Sequence, residues 1–215
     1  MSNNIEELII LIAWYNTTNE DTISTFTANK QTFIDYNPGV KVFDVINPFI
    51  DSPIIGPSID LAFFRWYLEN KSDIFSKRFV LVGWDCWCDC SVNSYFSRVW
   101  DCDFVVPSVK YPERDTWHWF YQIRNLPIDV RQYAVGISPF CGIMMSDKAM
   151  SLIADEILKP VYQALHSELR LGTIATMLNL DPIVNPVYSR SIGWREPQFG
   201  QKYRGFHHPR KTLSS

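Results

Sequence analysis

The feature that most constrains this chain is an unbroken apolar run, Glu7 to Tyr15 (ELIILIAWY), bounded by acids on one side and by Asn16-Thr17-Thr18-Asn19 on the other. The run is short, rich in Ile and does not alternate, which suits a strand buried on both faces. Such a strand needs covering layers above and below it. At 215 residues the chain is long enough for one well-cored domain and too short for two of ordinary size, so residues 1–215 are expected to form a single domain.

Helical spacing and strand-like runs alternate along the rest of the chain. Asp21 or Thr22 caps a helix with Ile23, Phe26, Phe33 and Ile34 inward, Asn37-Pro38-Gly39 turns the chain, and Val40 to Ile46 resumes as a strand. Ser58, after Pro57, caps a second helix with a stripe of Ile59, Ala62, Phe63, Trp66 and Tyr67 that ends near Asn70. Arg78 to Trp84 is another short strand, Ser91 caps a helix carrying Val92, Tyr95, Phe96, Val99 and Trp100, and Asp103 to Val106 is a strand again. Tyr111 to Leu126, crowded with aromatics and charges, reads as a loop running into a short helix. Ala134 to Met145 is a strand interrupted by Gly136, Pro139 and Gly142, and the helix from Ser146 must stop by Pro160. A last helix from about Ser167 offers Leu169, Leu171, Ile174, Ala175 and Leu178, and Ile183 to Val187 is a final short strand. This alternation predicts an α/β domain with a mostly parallel central sheet and helices on both faces.

Composition excludes several classes. Hydrophobic residues are 47% and charged residues 20%, as in an ordinary globular protein. A formal net charge of -3 leaves no positive excess to neutralise a phosphate backbone, so nucleic acid is not an expected partner. Leu8 to Trp14 is too short to span a bilayer and follows Glu6 and Glu7 where a secretory signal would carry basic residues, so a cytoplasmic location is expected. The five cysteines, an odd number, are then expected to be reduced. Cys86, Cys88 and Cys90 would share one face of a strand, but zinc would need a fourth ligand from elsewhere, and packing as small hydrophobes accounts for them more simply.

Four places could carry chemistry. Asp85 follows the Arg78–Trp84 run directly, near a strand's carboxyl end, where open α/β sheets place their ligands. It is a candidate ligand for Mg²⁺ or Mn²⁺, with Asp89 assisting, although for a single acid at an element end a turn or helix cap is the more common role. Glu168 opens the last helix, where it either serves the helix dipole or faces a cleft as a general base. His207-His208-Pro209-Arg210-Lys211 would complete a metal shell and contact a diphosphate, or form a solvated basic terminus. Trp117, His118 and Trp119 would be an acceptor-side wall or part of the core.

The order of these residues resembles that of GT-A type glycosyltransferases, particularly small bacterial and viral members with a shortened, Rossmann-like domain. Ala13-Trp14-Tyr15-Asn16-Thr17 stands in the place of the strand and polar turn that hold the nucleotide, and Asn37-Pro38-Gly39 precedes the second strand as it often does there. Gly56-Pro57-Ser58-Ile59-Asp60, with Arg65 one turn on, resembles the helix flanking base and ribose. Gly83-Trp84-Asp85-Cys86 stands where the family has Asp-x-Asp or Glu-Tyr-Asp-Cys, keeping the final acid and lacking the first. Gly136-Ile137-Ser138-Pro139-Phe140-Cys141-Gly142 resembles the strand on the acceptor side, Ser167-Glu168-Leu169 the acidic helix start, and Phe206-His207-His208-Pro209-Arg210-Lys211 the closing His-Pro-x-Lys.

The resemblance implies a UDP- or GDP-sugar donor, contacted by Trp14, Tyr15, Asn16, Asp60, Arg65, Trp84 and Lys211. It implies Mn²⁺ or Mg²⁺ on Asp85 and His208, with His207 as the fallback ligand, and Glu168 as the base toward a hydroxyl acceptor, a glycan or glycoconjugate. Loss of the first acid keeps a non-catalytic nucleotide- or glycan-binding protein of the same fold as an alternative. A nucleotidyltransferase fits less well, because Asn16 to Asp21 has no glycine to build a phosphate loop.

Overall fold

A computed structural model describes residues 6–48, 56–187 and 204–211. In chain order the elements are β1 (Glu6–Trp14), α1 (Glu20–Tyr36), β2 (Lys41–Ile46), α2 (Ile59–Asn70), β3 (Ser76–Gly83), β4 (Trp87–Cys88), α3 (Val92–Phe96), β5 (Phe104–Val106) and β6 (Val109–Lys110). They continue with β7 (Gly136–Ile137), β8 (Cys141–Ser146), α4 (Asp147–Ile157), α5 (Ser167–Met177), β9 (Ile183–Val184) and β10 (Phe206–His207). Short 3₁₀ turns cover Gly56–Ser58, His118–Asn125, Arg131–Tyr133 and Pro160–Tyr162.

Six strands form the central sheet in the order β2-β1-β3-β8-β5-β9. β1 runs parallel to β2 and to β3, β5 runs parallel to β9, and β8 is antiparallel to both of its neighbours. The expected mostly parallel α/β sheet is therefore present, with β8 as its reversed member. The apolar run lies at its centre: Ile9 to Ala13 are each no more than 1% exposed. The crossover from β1 to β2 moves one way along the sheet and that from β2 to β3 moves back past β1, so right-handed connections put α1 and α2 on opposite faces. No described helix is long and apolar enough to cross a membrane.

Several local expectations are corrected. Asn19, not Asp21 or Thr22, caps α1, its side-chain oxygen accepting from Thr22 N at 2.9 Å, and this leaves Glu20 and Asp21 in the first turn at the positive end of the dipole. Ile23 and Ile34 are each 40% exposed, and Thr25 and Asn29 share the buried face with Phe26 and Phe33. Ser58 precedes α2 but makes no capping bond; its hydroxyl accepts from Asn47 instead. Ser91 and Ser146 do cap α3 and α4. The last expected strand is only Ile183–Val184, exposed at the sheet edge.

Two long-range contacts fix the elements around the future site. Arg170 of α5 and Asp60 of α2 are both fully buried and form a two-point ion pair, while the remaining guanidinium hydrogens go to the carbonyls of Pro57, Tyr162, Gln163 and Leu165. Phe206 of β10 lies in a box of rings, stacked on Tyr95 at 4.4 Å and 4° and edge-on to Phe33 and Phe96. Gly142 closes the box: it holds φ +86°, and a Cβ there would stand 2.7 Å from the Phe206 ring.

Arg170→Met is expected to lower unfolding stability by about 3–5 kcal/mol, because it leaves a buried carboxylate without its partner, and Asp60→Leu combined with it is expected to restore a large part of the loss. Phe206→Ala is expected to cost about 3–5 kcal/mol. Urea titrations followed by circular dichroism measure both, and a loss below 1 kcal/mol in either single variant would contradict these assignments.

Candidate active site

The site forms where β3 ends. After Gly83 the chain turns, with Cys86 N bonded to Gly83 O at 3.1 Å, and enters β4, which pairs antiparallel with β10 in the register Trp87 to His207 and Cys88 to Phe206. That pairing carries residues 208–211 back over the strand end. Asp85 Oδ2 lies 3.5 Å from His208 Nε2 and 3.9 Å from Lys211 Nζ, and Arg210 N donates to the Asp85 carbonyl at 2.7 Å. The Asp85 and His208 side chains are 13% and 17% exposed, whereas Lys211 is more than half exposed. Gly83 leaves room for the acid, since a Cβ there would stand 3.1 Å from Asp85 Oδ1.

Asn29 stitches this junction together. Its buried amide donates to the carbonyls of Trp84 and Arg210, both at 3.0 Å, and its oxygen accepts from Arg210 Nε. The Arg210 guanidinium lies over Trp87 at 4.9 Å, and the same indole stacks on His207 at 4.0 Å. Asp89 does not join Asp85. Its carboxylate accepts from Gly205 N at 2.6 Å and stands 3.2 Å from His207 Nε2, so Asp89 and the fallback ligand His207 form a separate pair beside the site.

Glu168 approaches from α5, as the helix's second residue. His166 caps that helix, Nδ1 accepting from Glu168 N at 3.3 Å, and Gly172 lets α5 press against β7, where a Cβ would stand 2.3 Å from Val135 O. Burial pushes the Glu168 carboxyl from its usual 4.5 up to about 8; a hydrogen bond from Ser138 and the nearby His208 pull the other way. Glu168 and Ser138 are thus hydrogen-bonded neighbours, with His208 within electrostatic reach of the carboxyl. Burial, with Arg170 and His118 nearby, holds the His166 imidazole down to about 3, so it is neutral.

At the carboxyl end of β1, Trp14, Asn16, Thr17, Thr18, Ile23, Phe26 and Thr27 line an open cleft of about 630 Å³. Trp14 stacks on Phe26 at 4.1 Å, and Trp84 meets Trp14 and Tyr15 edge-on, each at 5.9 Å. Tyr15 and Trp84, each 4% exposed, lie beneath the cleft, whereas Asn16 is exposed at its lip. The structure therefore brings together Trp14, Tyr15, Asn16, Trp84, Asp85, Glu168, His208 and Lys211.

One expected donor contact is corrected. Asp60 is fully buried with both oxygens committed to Arg170, so it cannot reach a nucleotide. Arg65, about half exposed, pairs with Glu69 one turn on, at 3.2 Å. Asn29, Ser138 and His166 belong to the site, although sequence reasoning does not single them out. Only Asn29 leaves a signal, a polar residue at the apolar spacing between Phe26 and Phe33.

A hard carboxylate and an imidazole facing each other form a two-donor set. No group of three or more His, Cys, Asp or Glu able to hold a metal occurs among the described residues. The pair does not suit a four-ligand structural zinc. A divalent ion held there would need oxygen ligands from a bound molecule or water to complete its shell.

No family model and no curated protein sequence matches the chain. Among solved structures it is similar to the crystal structure of a glycosyltransferase involved in the glycosylation of the major capsid of PBCV-1, with a TM-score of 0.50 and 10% sequence identity over 86% of this chain and 85% of that one. At that identity the likeness is one of fold: the two chains share an α/β architecture.

Proposed function

We propose that the protein transfers a sugar from a nucleotide diphosphate sugar to a hydroxyl acceptor. The observation that carries this reading is the convergence of Asp85, His208 and Lys211 at the end of β3, with Glu168 within electrostatic reach of His208 and the aromatic cleft at the end of the adjacent β1. Four segments distant in sequence, the ends of β1 and β3, the start of α5 and the residues after β10, meet at the edge where open α/β sheets hold ligands. The likeness to the PBCV-1 capsid glycosyltransferase supports the same reading.

In this mechanism the Trp14–Asn16 cleft takes the base and ribose, and Lys211, exposed on its long stem, reaches the diphosphate. Asp85 and His208 would hold Mn²⁺ or Mg²⁺, which when bound would supply positive charge against that of the departing diphosphate. Glu168 takes the proton from the acceptor hydroxyl as its oxygen attacks the anomeric carbon, and direct displacement of this kind inverts the configuration. Its raised proton affinity makes it the stronger base once ionised, with Ser138 hydrogen-bonded to the carboxylate. The two-donor set also favours a second reading, a protein of this fold that binds a nucleotide without catalysis.

Calorimetric titration of UDP and of GDP, with and without Mn²⁺, tests the site. Binding by one nucleotide is expected to require Mn²⁺ and to weaken at least tenfold, by about 1.4 kcal/mol, in Asp85→Ala and in His208→Ala. Equal binding with and without metal would exclude the proposed donor site. Glu168→Gln is expected to keep nucleotide binding and to lower transfer by about 10²–10⁴-fold; binding without any transfer by the parent protein would select the second reading.

Glu168 also makes a pH prediction for the metal-free protein. Its folded value, about 8, lies above the usual 4.5, so the folded state holds the proton that the unfolded chain releases. The stability contributed by this group is complete below pH 4.5 and is lost as pH rises through 8. Glu168→Gln is expected to flatten that decline in urea midpoints measured between about pH 5 and pH 9; an unchanged slope would contradict the buried, raised carboxyl.

A further inference from the structure

Trp117 and Trp119 are separated by one residue, and the chain sends them to different tasks. Trp117 packs over Gly136, where a Cβ would stand 2.3 Å from its ring, so its indole is committed to covering β7. Trp119 stays half-buried with its ring stacked on His166 at 3.9 Å and 15°. His118 lies 4.1 Å from Trp119 and Tyr121 lies 6.4 Å from it, both exposed, Tyr121 by 56%. These rings form a ledge, and its inner end is the imidazole that caps the Glu168 helix.

The ledge is held rigidly. Gln122 is buried between its two ends, donating through Nε2 to the Tyr121 hydroxyl at 3.1 Å and accepting through Oε1 from His166 N at 2.6 Å. Residues kept only for packing would turn their rings inward, as Trp117 does. Instead, a buried amide fixes an exposed tyrosine and a stacked histidine in one arrangement, which lowers the ordering cost of a ligand laid across them. Flat aromatic faces with polar edges match the face of a pyranose ring, whose C–H groups contact the ring while its hydroxyls stay at the rim.

We propose that Trp119, Tyr121 and His118, backed by His166, are the saccharide-binding ledge that seats the acceptor beside Glu168. This rests on the sugar-transfer reading for its role in catalysis, although saccharide binding by the ledge can be measured without it.

A glycan array of neutral and acidic oligosaccharides, followed by calorimetry with the best-bound glycan, tests the ledge. Mn²⁺-dependent UDP or GDP binding is measured on the same samples. Trp119→Ala and Tyr121→Ala are each expected to weaken glycan binding at least tenfold with nucleotide binding unchanged, and Trp119→Phe is expected to retain most of it and to guard against misfolding of the alanine variant. Glycan affinity unchanged in both alanine variants, or no glycan bound by the parent protein, would overturn the proposal. Glycan bound on the ledge without nucleotide binding would uphold the ledge and sink the donor reading instead.

Discussion

The site depends on the seating of Phe206. One buried ring, stacked on Tyr95 and boxed by Phe33, Phe96 and Gly142, holds β10 against β4. Everything the last described residues contribute depends on it: His208 and Lys211 face Asp85, and Arg210 is clamped by Asn29 and Trp87. The apolar contact supplies the binding free energy, and the polar groups along the tail then need only be placed.

Two charged residues on α5 illustrate how burial separates structure from chemistry. Arg170 is fully buried, but Asp60 and four backbone carbonyls satisfy its guanidinium, so its charge is compensated and its position fixed. Glu168, two residues earlier, is nearly as buried and has the Ser138 hydroxyl and nearby His208 rather than a bidentate cation, so it retains its proton to about pH 8. One group is spent on holding α2 against α5, and the other keeps a proton affinity suited to acid–base work.

The layout of elements was largely legible because it is written in local patterns. The run from Glu7 to Tyr15, the stripe from Ile59 to Tyr67, and Ser91 and Ser146 before their helices each carry their signal within a few residues. The expectations that failed were those where local patterns are degenerate. Asp60 at a helix start reads the same whether it meets a ribose or an arginine 110 residues away. Ile23 and Ile34 fit an apolar stripe until Asn29 is needed on the buried side, and Trp117 and Trp119 are alike until Gly136 admits one of them.

By itself, then, the sequence determined a single α/β domain with a doubly covered strand at its centre, and it singled out Asp85, Glu168 and His208 as groups at element ends. Short-range periodicity and capping suffice for that, since both are properties of neighbouring residues. Only the tertiary structure decided which of those groups meet. The Asp85–His208 contact spans the chain from β3 to its last described residues, and Ser138 and His166 enter the site through contacts that no spacing encodes. Proximity across such distances is set by how the aromatic box, the buried ion pair and the sheet order close together, and those are properties of the packed whole.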